Sequence, residues 1–342
     1  MRESTGKDRS GAGDGVSGSE GGGSDDRFLR YLTAKRTVDD RAVNRRVLDR
    51  LAAALGALVD TTDRPLRVLD VGGGLGGALV RLLERDALPA DAEYTLLDVR
   101  EANVAAARRR LPRWAADRGH GARETDAGLA IECEDATVDV EFVAADAFEY
   151  VRRTGSASVD DGEGTTGSGS EDERGWDLLV GQAFLDLFEP GEALETLLSA
   201  LAPGGLCYFP ITFDGGTVFE PTLDGELDAR IERAYHAHMD DGGDSRAGRH
   251  LLVELPAAGA ELLAAGSSDW VVHPRGGGYP ADEEVFLAHI VGTVDGALAG
   301  GDRIDGGALA DWTRRRHEQI DRGELVYVAH QLDVLGRVPG ER

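Results

Sequence analysis

The residues of this chain that carry the most chemistry lie in the run Arg67-Val-Leu-Asp-Val-Gly-Gly-Gly-Leu-Gly-Gly77. A short apolar stretch leads into glycines, and a helical pattern follows. Glycines there let the backbone approach a ligand closely, and a helix N-terminus offers free N–H groups. Asp70 ends the apolar stretch and puts a carboxylate beside whatever the loop holds. Two further carboxylates stand in similar places. Asp98 closes Tyr-Thr-Leu-Leu-Asp, and Asp146 follows Val-Glu-Phe-Val-Ala-Ala. A carboxylate only accepts hydrogen bonds, so the three suit a ligand rich in hydroxyls, amines or positive charge.

Two motif grammars fit the glycines. Gly72-x-Gly74-x-x-Gly77 satisfies the dinucleotide fingerprint GxGxxG. Asp70-x-Gly72-x-Gly74-x-Gly76 is a DxGxGxG pattern, which resembles the first motif of class I S-adenosylmethionine-dependent methyltransferases. Asp70 weighs for the second, because its charge would repel an NAD pyrophosphate and attract an ammonium or sulfonium. The turn Leu201-Ala-Pro-Gly-Gly205 also resembles that family's, and the resemblance spans residues 27–213 and, loosely, the C-terminal strands. It implies S-adenosyl-L-methionine as cofactor, contacted by Asp70, Gly72, Gly74, Gly76, Asp98, Val99, Asp146, Ala147 and Gln182. A narrower likeness is to aminopropyltransferases of the spermidine-synthase type, whose GGGDGG loop GGGLGG approaches. Leu75 replaces the expected Asp, and Gly181-Gln182-Ala183-Phe184 lacks an acidic strand end. The resemblance predicts methyl transfer to a small-molecule acceptor by in-line displacement. The alternatives are a non-catalytic S-adenosylmethionine-binding protein and an NAD-dependent oxidoreductase.

The substrate side is less constrained. In this family the acceptor usually sits at the end of the fourth strand, here Gly181 to Asp186. No Asn/Asp-Pro-Pro-aromatic motif stands there, which argues against amide or exocyclic-amine methylation. Phe184 and Asp186 are candidates, with core packing and a solvated loop acid as the plain alternatives. An N-terminal arm carrying Tyr31, Lys35, Arg36 and Arg41 could hold a carboxylate or an anionic substrate. Its alternative is a capped helix start, with Thr37 or Asp39 as N-cap. His236 and His273 are candidate bases. His236-x-His238 does not predict a metal, since i and i+2 on a helix do not face each other.

The elements that must position these groups alternate. Residues 39–60 read as a helix, then strands and helices follow in turn: Arg67–Val71, Gly76–Arg85, Tyr94–Val99, Glu101–Trp114, Val138–Ala144, Trp176–Val180, Glu192–Leu201 and Leu206–Phe213. Continuous apolar strands between helices indicate a sheet covered on both faces. After that, His250–Ala265 reads as helix, Asp269–His273 as strand, Val285–Leu298 and Leu309–Ile320 as helices, and Leu325–Leu335 as a closing strand. The expected fold is α/β: a three-layer Rossmann-like methyltransferase sheet, mostly parallel, with an antiparallel terminal strand and helical lid insertions at 214–249 and 275–322. Residues 1–24 read as a disordered acidic tail, 25–342 as the methyltransferase domain, and 154–175 as a flexible loop.

Composition bounds the partners. The 342 residues carry 63 Asp+Glu against 37 Lys+Arg, a net charge of −26. Such a surface disfavours nucleic acid and anionic membranes. Lys7 and Lys35 are the sole lysines. Many carboxylates with almost no lysine indicate adaptation to concentrated salt, which screens self-repulsion. Two cysteines make neither a disulfide framework nor a CxxC metal site. With no apolar run of spanning length, the expectation is a soluble cytoplasmic protein.

Overall fold

The computed structural model describes residues 21–89, 91–134, 136–156 and 175–340. Ten strands form one sheet: β1 (Leu66–Val71), β2 (Ala92–Asp98), β3 (Gly121–Glu124), β4 (Gly128–Glu132), β5 (Thr137–Ala144), β6 (Trp176–Val180), β7 (Leu201–Glu220), β8 (Glu261–Ser267), β9 (Trp270–Val272) and β10 (Val326–Arg337). Its order is β3-β4-β5-β2-β1-β6-β7-β10-β8, with β9 pairing β10. Strands β5, β2, β1, β6 and β7 run parallel, and β10 enters antiparallel between β7 and β8. The carboxyl ends of β1 and β6, beside each other, carry Asp70 and Gly181–Gln182.

Helices cover both faces. They are α1 (Gly21–Ala42), α2 (Arg45–Val59), α3 (Gly77–Glu84), α4 (Glu101–Asp117), α5 (Ala147–Ser156), α6 (Pro190–Leu198), α7 (Gly225–Met239), α8 (Ala247–Ala257), α9 (Glu283–Leu298) and α10 (Gly306–Asp321). One apolar cluster joins α1–α4, α7, α9 and α10 to one side of the sheet. The other joins α5, α6 and α8 to the opposite side. Burying one helical stripe per element on each face is what the alternating pattern predicted.

Several boundaries differ from the expectation. The helix read over 39–60 is two helices, broken at Val43–Asn44. Asn44 caps α2 by accepting from Val47 N, its own N–H donates to Asp333, and its amide donates to the Ser267 carbonyl. Distant partners thus hold the break. Asp39 is not a cap but an interior residue of α1. The last five residues of the helix read over 250–265 belong to strand β8, because Gly259 at φ +86° follows the end of α8 and β10 supplies a ladder. Strand β7 continues to Glu220, into what was read as an insertion, since β10 pairs it to its end. The hairpin β3–β4, added antiparallel to the edge of β5, was not anticipated. Helix α1 begins at Gly21, inside the stretch read as tail. Residues 1–20 of that tail and 157–174 of the expected loop lie outside the described residues.

Candidate active site

The loop after β1 takes the shape its glycines permit. Gly72, Gly74 and Gly76 hold φ of +65°, +54° and +76°, a region that L side chains enter only under strain. A Cβ on Gly72 would lie 2.7 Å from Phe184 Cδ2, and one on Gly73 would lie 3.0 Å from Asp70 Oδ2. Leu32 of α1 lies over Gly74.

Asp70 is fully buried. Its Oδ2 accepts from the Tyr94 hydroxyl at 2.7 Å, while Oδ1 is sealed from solvent without a hydrogen-bond partner. Burial pushes its carboxyl up to about 7; Asp98 adds to this, and the Tyr94 bond and Arg81 oppose it. Asp98 braces the loop. Its Oδ2 accepts from Gly74 N at 3.0 Å, and its Oδ1 accepts from Arg100 N and Asn103 Nδ2. Val99 next to it is 69 % exposed. Asp146 is exposed and caps α5 through Glu149 N, and Ala147 is buried in the first turn.

A second network crosses from α1 to the end of β6. Asp39, 4 % exposed, receives three donors. These are the Lys35 ammonium at 3.1 Å, Gln182 Nε2 at 2.8 Å and Trp270 Nε1 at 2.9 Å. The Lys35 ammonium also sits 5.1 Å from the Trp270 ring centre. Gln182 Oε1 accepts from Arg81 at 2.7 Å, and Arg81 reaches on to Asp40. Both ends of the Gln182 amide are therefore held by the chain itself. Phe184 packs on Gly72 and forms an aromatic group with Phe148 and Phe188.

Asp186 lies in a short helical turn, Leu185–Leu187, just beyond β6. Its Oδ1 is sealed and unpartnered, and burial pushes the carboxyl up to about 6, with Lys35 lowering it and Asp244 raising it. Tyr31 stacks on His289 of α9 at 3.8 Å. Arg41 points to α9, where its guanidinium forms an ion pair with Glu283. Arg36 faces Arg110 of α4, which donates to the Leu75 carbonyl of the glycine loop. His236 is held by Thr217 at 2.9 Å, and burial pulls its imidazole down. His273 Nδ1 lies 3.1 Å from the Pro274 carbonyl. The structure thus gathers Asp70, Asp98, Gly72–Gly76, Gln182, Phe184 and Lys35 around the carboxyl ends of β1 and β6. Nothing links His273 or Arg41 to that group among the described residues.

Sequence reasoning passed over Arg81, Trp270 and Arg110, and read Asp39 only as a cap. Arg81 had a signal: a lone arginine inside the apolar stripe of Gly77–Glu84, and it is only 6 % exposed. A cavity of about 1060 Å³ opens elsewhere, at the amino ends of β1, β2 and β6, lined by Arg67, Glu93, Tyr150 and Trp176. It lies at the opposite ends of the strands from the glycine loop. Among the described residues no group of three or more His, Cys, Asp or Glu could hold a metal ion.

The parallel strands in the order β5-β2-β1-β6-β7, closed by antiparallel β10 and then β8, define the Rossmann-like class I methyltransferase fold. No family model and no curated protein sequence matches the chain. Solved structures do. One similar to it is an S-adenosylmethionine-dependent methyltransferase from Geobacter sulfurreducens in complex with S-adenosyl-L-homocysteine. It is 16% identical, with 91% of this chain and 97% of that chain covered and a TM-score of 0.42. A second, from Thiobacillus denitrificans in the same kind of complex, is 14% identical over 90% and 96% of the two chains, with a TM-score of 0.40. The [4+2]-cyclase SpnF is 18% identical over 93% and 96%, with a TM-score of 0.39. Among the described residues no helix is long and apolar enough to cross a membrane.

Proposed function

We propose that this chain is an S-adenosylmethionine-dependent methyltransferase acting on a small molecule, with the cofactor held at Gly72–Gly76. The observation that carries this reading is the sealed, unpartnered Oδ1 of Asp70 at the loop. A cation bound there would compensate a charge that burial now disfavours, whereas a pyrophosphate would add like charge in a low-dielectric spot. Each carboxylate oxygen of Asp98 keeps accepting capacity for ribose hydroxyls beyond its present bonds. The exposed Val99 offers apolar surface to a base. Arg110 reaches the loop at the Leu75 carbonyl, where a carboxylate would suit it.

When bound, the cofactor supplies an electrophilic methyl group on a sulfonium, whose carbon–sulfur bond breaks with its electron pair left on sulfur. The chain's part is alignment, and orientation alone supplies about 7–11 kcal/mol of barrier reduction. Helices α1, α7 and α9 pack together, and α1 reaches over the glycine loop through Leu32. We read them, with α10, as a lid that limits the acceptor to a small molecule. The acidic surface fits a salt-rich cytoplasm.

Calorimetry in molar KCl tests the cofactor. S-adenosylhomocysteine should bind and NAD should not; NAD binding without S-adenosylhomocysteine binding overturns the reading. Incubation with labelled methyl donor and a small-molecule extract separates an enzyme from a binding protein, since only the enzyme transfers label.

A further inference from the structure

The parallel part of β7 ends in a bulge. Phe209 pairs with Val334 and Thr212 with Leu332, so Pro210 and Ile211 together face the single residue Asp333 of β10. A bulge of this kind commonly has glycine at its left-handed position. Here Ile211 stands there, at φ +58° and only 1 % exposed. A β-branched residue in that region is a steric outlier, and it persists only where its surroundings hold it. Asp333 holds it. This carboxylate is fully buried, and its Oδ1 accepts from Ile211 N at 2.8 Å. Its Oδ2 accepts from Asn44 N at 2.7 Å and from the Tyr208 hydroxyl at 3.3 Å. An apolar side chain at 333 would take this acceptor from all three donors, and buried polar groups are normally paired.

The bulge in turn holds the end of β6. Gly181 N donates to the Tyr208 carbonyl and Ala183 N to the Pro210 carbonyl, both at 3.0 Å. Ala183 is itself left-handed, at φ +48°. Gln182 lies between these two bonds, with its amide drawn to Arg81 of α3 and Asp39 of α1. Phe184, two residues on, packs against Gly72. Through Asn44 the same carboxylate also reaches the break between α1 and α2. Asp333 therefore joins the bulge under Gln182 to the end of the helix that lies over Gly74.

We propose that Asp333 is a positioning residue for the cofactor pocket: by holding Ile211 in left-handed backbone, it sets Gly181–Phe184 against the glycine loop. This rests on the methyl-transfer reading. Asp333 acts through the bulge rather than on the ligand. Without the carboxylate, Ile211 relaxes out of the left-handed region. The Pro210 carbonyl moves with it, and Ala183 loses its acceptor. The strain at Ile211 makes this role separable from general stability. Glycine enters the left-handed region freely, whereas alanine does not. Both replacements remove most of the same buried side chain, so they differ mainly in the freedom of the backbone.

The full-length protein in molar KCl is titrated calorimetrically with S-adenosylhomocysteine. Asp333→Ala should weaken binding about tenfold or more, because left-handed strain at a residue other than glycine is worth about that factor. Adding Ile211→Gly to Asp333→Ala should recover most of the affinity, and adding Ile211→Ala should not. Denaturant titrations of the same proteins should show both double variants less stable than Asp333→Ala, since each leaves a cavity in the core. Affinity and stability should thus move in opposite directions in the glycine variant. Unchanged affinity in Asp333→Ala, equal recovery by glycine and alanine, or an affinity that falls with stability in the glycine variant would each overturn the proposal. Should Asp333→Ala not fold, hydrogen exchange on the wild-type protein decides it. S-adenosylhomocysteine should slow exchange of the Ala183 and Ile211 amides together, and an Ile211 amide indifferent to it would overturn the proposal. Failure of the wild-type protein to bind S-adenosylhomocysteine would instead sink the methyl-transfer reading.

Discussion

Asp70→Asn should separate stability from function. In the folded chain the Asp70 carboxyl is raised from 3.8 to about 7, chiefly by burial. Native Asp70 therefore holds a proton that the unfolded chain has released over that interval, and stability falls as pH rises through it. The interval from 3.8 to about 7, at about 1.4 kcal/mol per pH unit, gives an upper bound of about 4 kcal/mol. Relaxation and water penetration reduce such penalties, so we expect about 2 kcal/mol at pH above 7. Asn is neutral and keeps an oxygen to accept the Tyr94 hydroxyl, now bound at 2.7 Å. The variant should therefore be the more stable protein at about pH 8, with the advantage shrinking toward about pH 5. The same change should abolish S-adenosylhomocysteine binding. Denaturant titrations followed by tryptophan fluorescence, across that pH range in molar KCl, measure the first effect, and calorimetry measures the second. A difference in stability that stays flat with pH would refute the buried-charge argument. Intact S-adenosylhomocysteine binding in the variant would refute the role assigned to Asp70.

Other consequences follow from the same geometry. Gly72→Ala forces a side chain into left-handed backbone at about 1–2 kcal/mol and drives a Cβ to 2.7 Å from Phe184; calorimetry should show S-adenosylhomocysteine affinity reduced at least about tenfold. Asp39→Ala strands the buried Lys35 ammonium and the Trp270 and Gln182 donors; denaturation should show a loss of about 3–5 kcal/mol. With a net charge of −26, the melting temperature should rise steeply as KCl increases from millimolar to molar, by screening of self-repulsion. Scanning calorimetry at several salt concentrations would show this, and a flat response would remove the salt-adaptation argument.

How much was legible in the sequence differs by region. The strands Leu66–Val71, Ala92–Asp98 and Trp176–Val180 were readable because each is a largely apolar run buried on both faces, and Thr137–Ala144 because Val138 and Val140, buried, alternate with exposed Asp139 and Glu141. The loop Gly72–Gly76 was readable because its positive φ values demand glycine. Strand β8 was not, since Glu261–Ser267 is half-exposed and takes its conformation from the ladder with β10. The break between α1 and α2 was also hidden, because its partners, Asp333 and Ser267, are far along the chain.

The side-chain network behaves like those hidden elements. That Lys35 stands out could be inferred from its being the only lysine after Lys7. Its commitment to Asp39 and the Trp270 face could not, because Trp270 joins it only through the fold. Asp186 was one of 63 acidic residues in the chain. Its separation from the others came from the turn beyond β6, which Asp244 holds by donating to the Asp186 carbonyl and in which Asp186 Oδ1 is sealed without a partner. Local pattern alone determined where the parallel strands lie and where the backbone must bend, because those depend on short-range sterics and on burying apolar side chains. Only the tertiary structure decided which charges lose their solvent and which partners they keep, because desolvation and pairing are set by residues hundreds of positions apart.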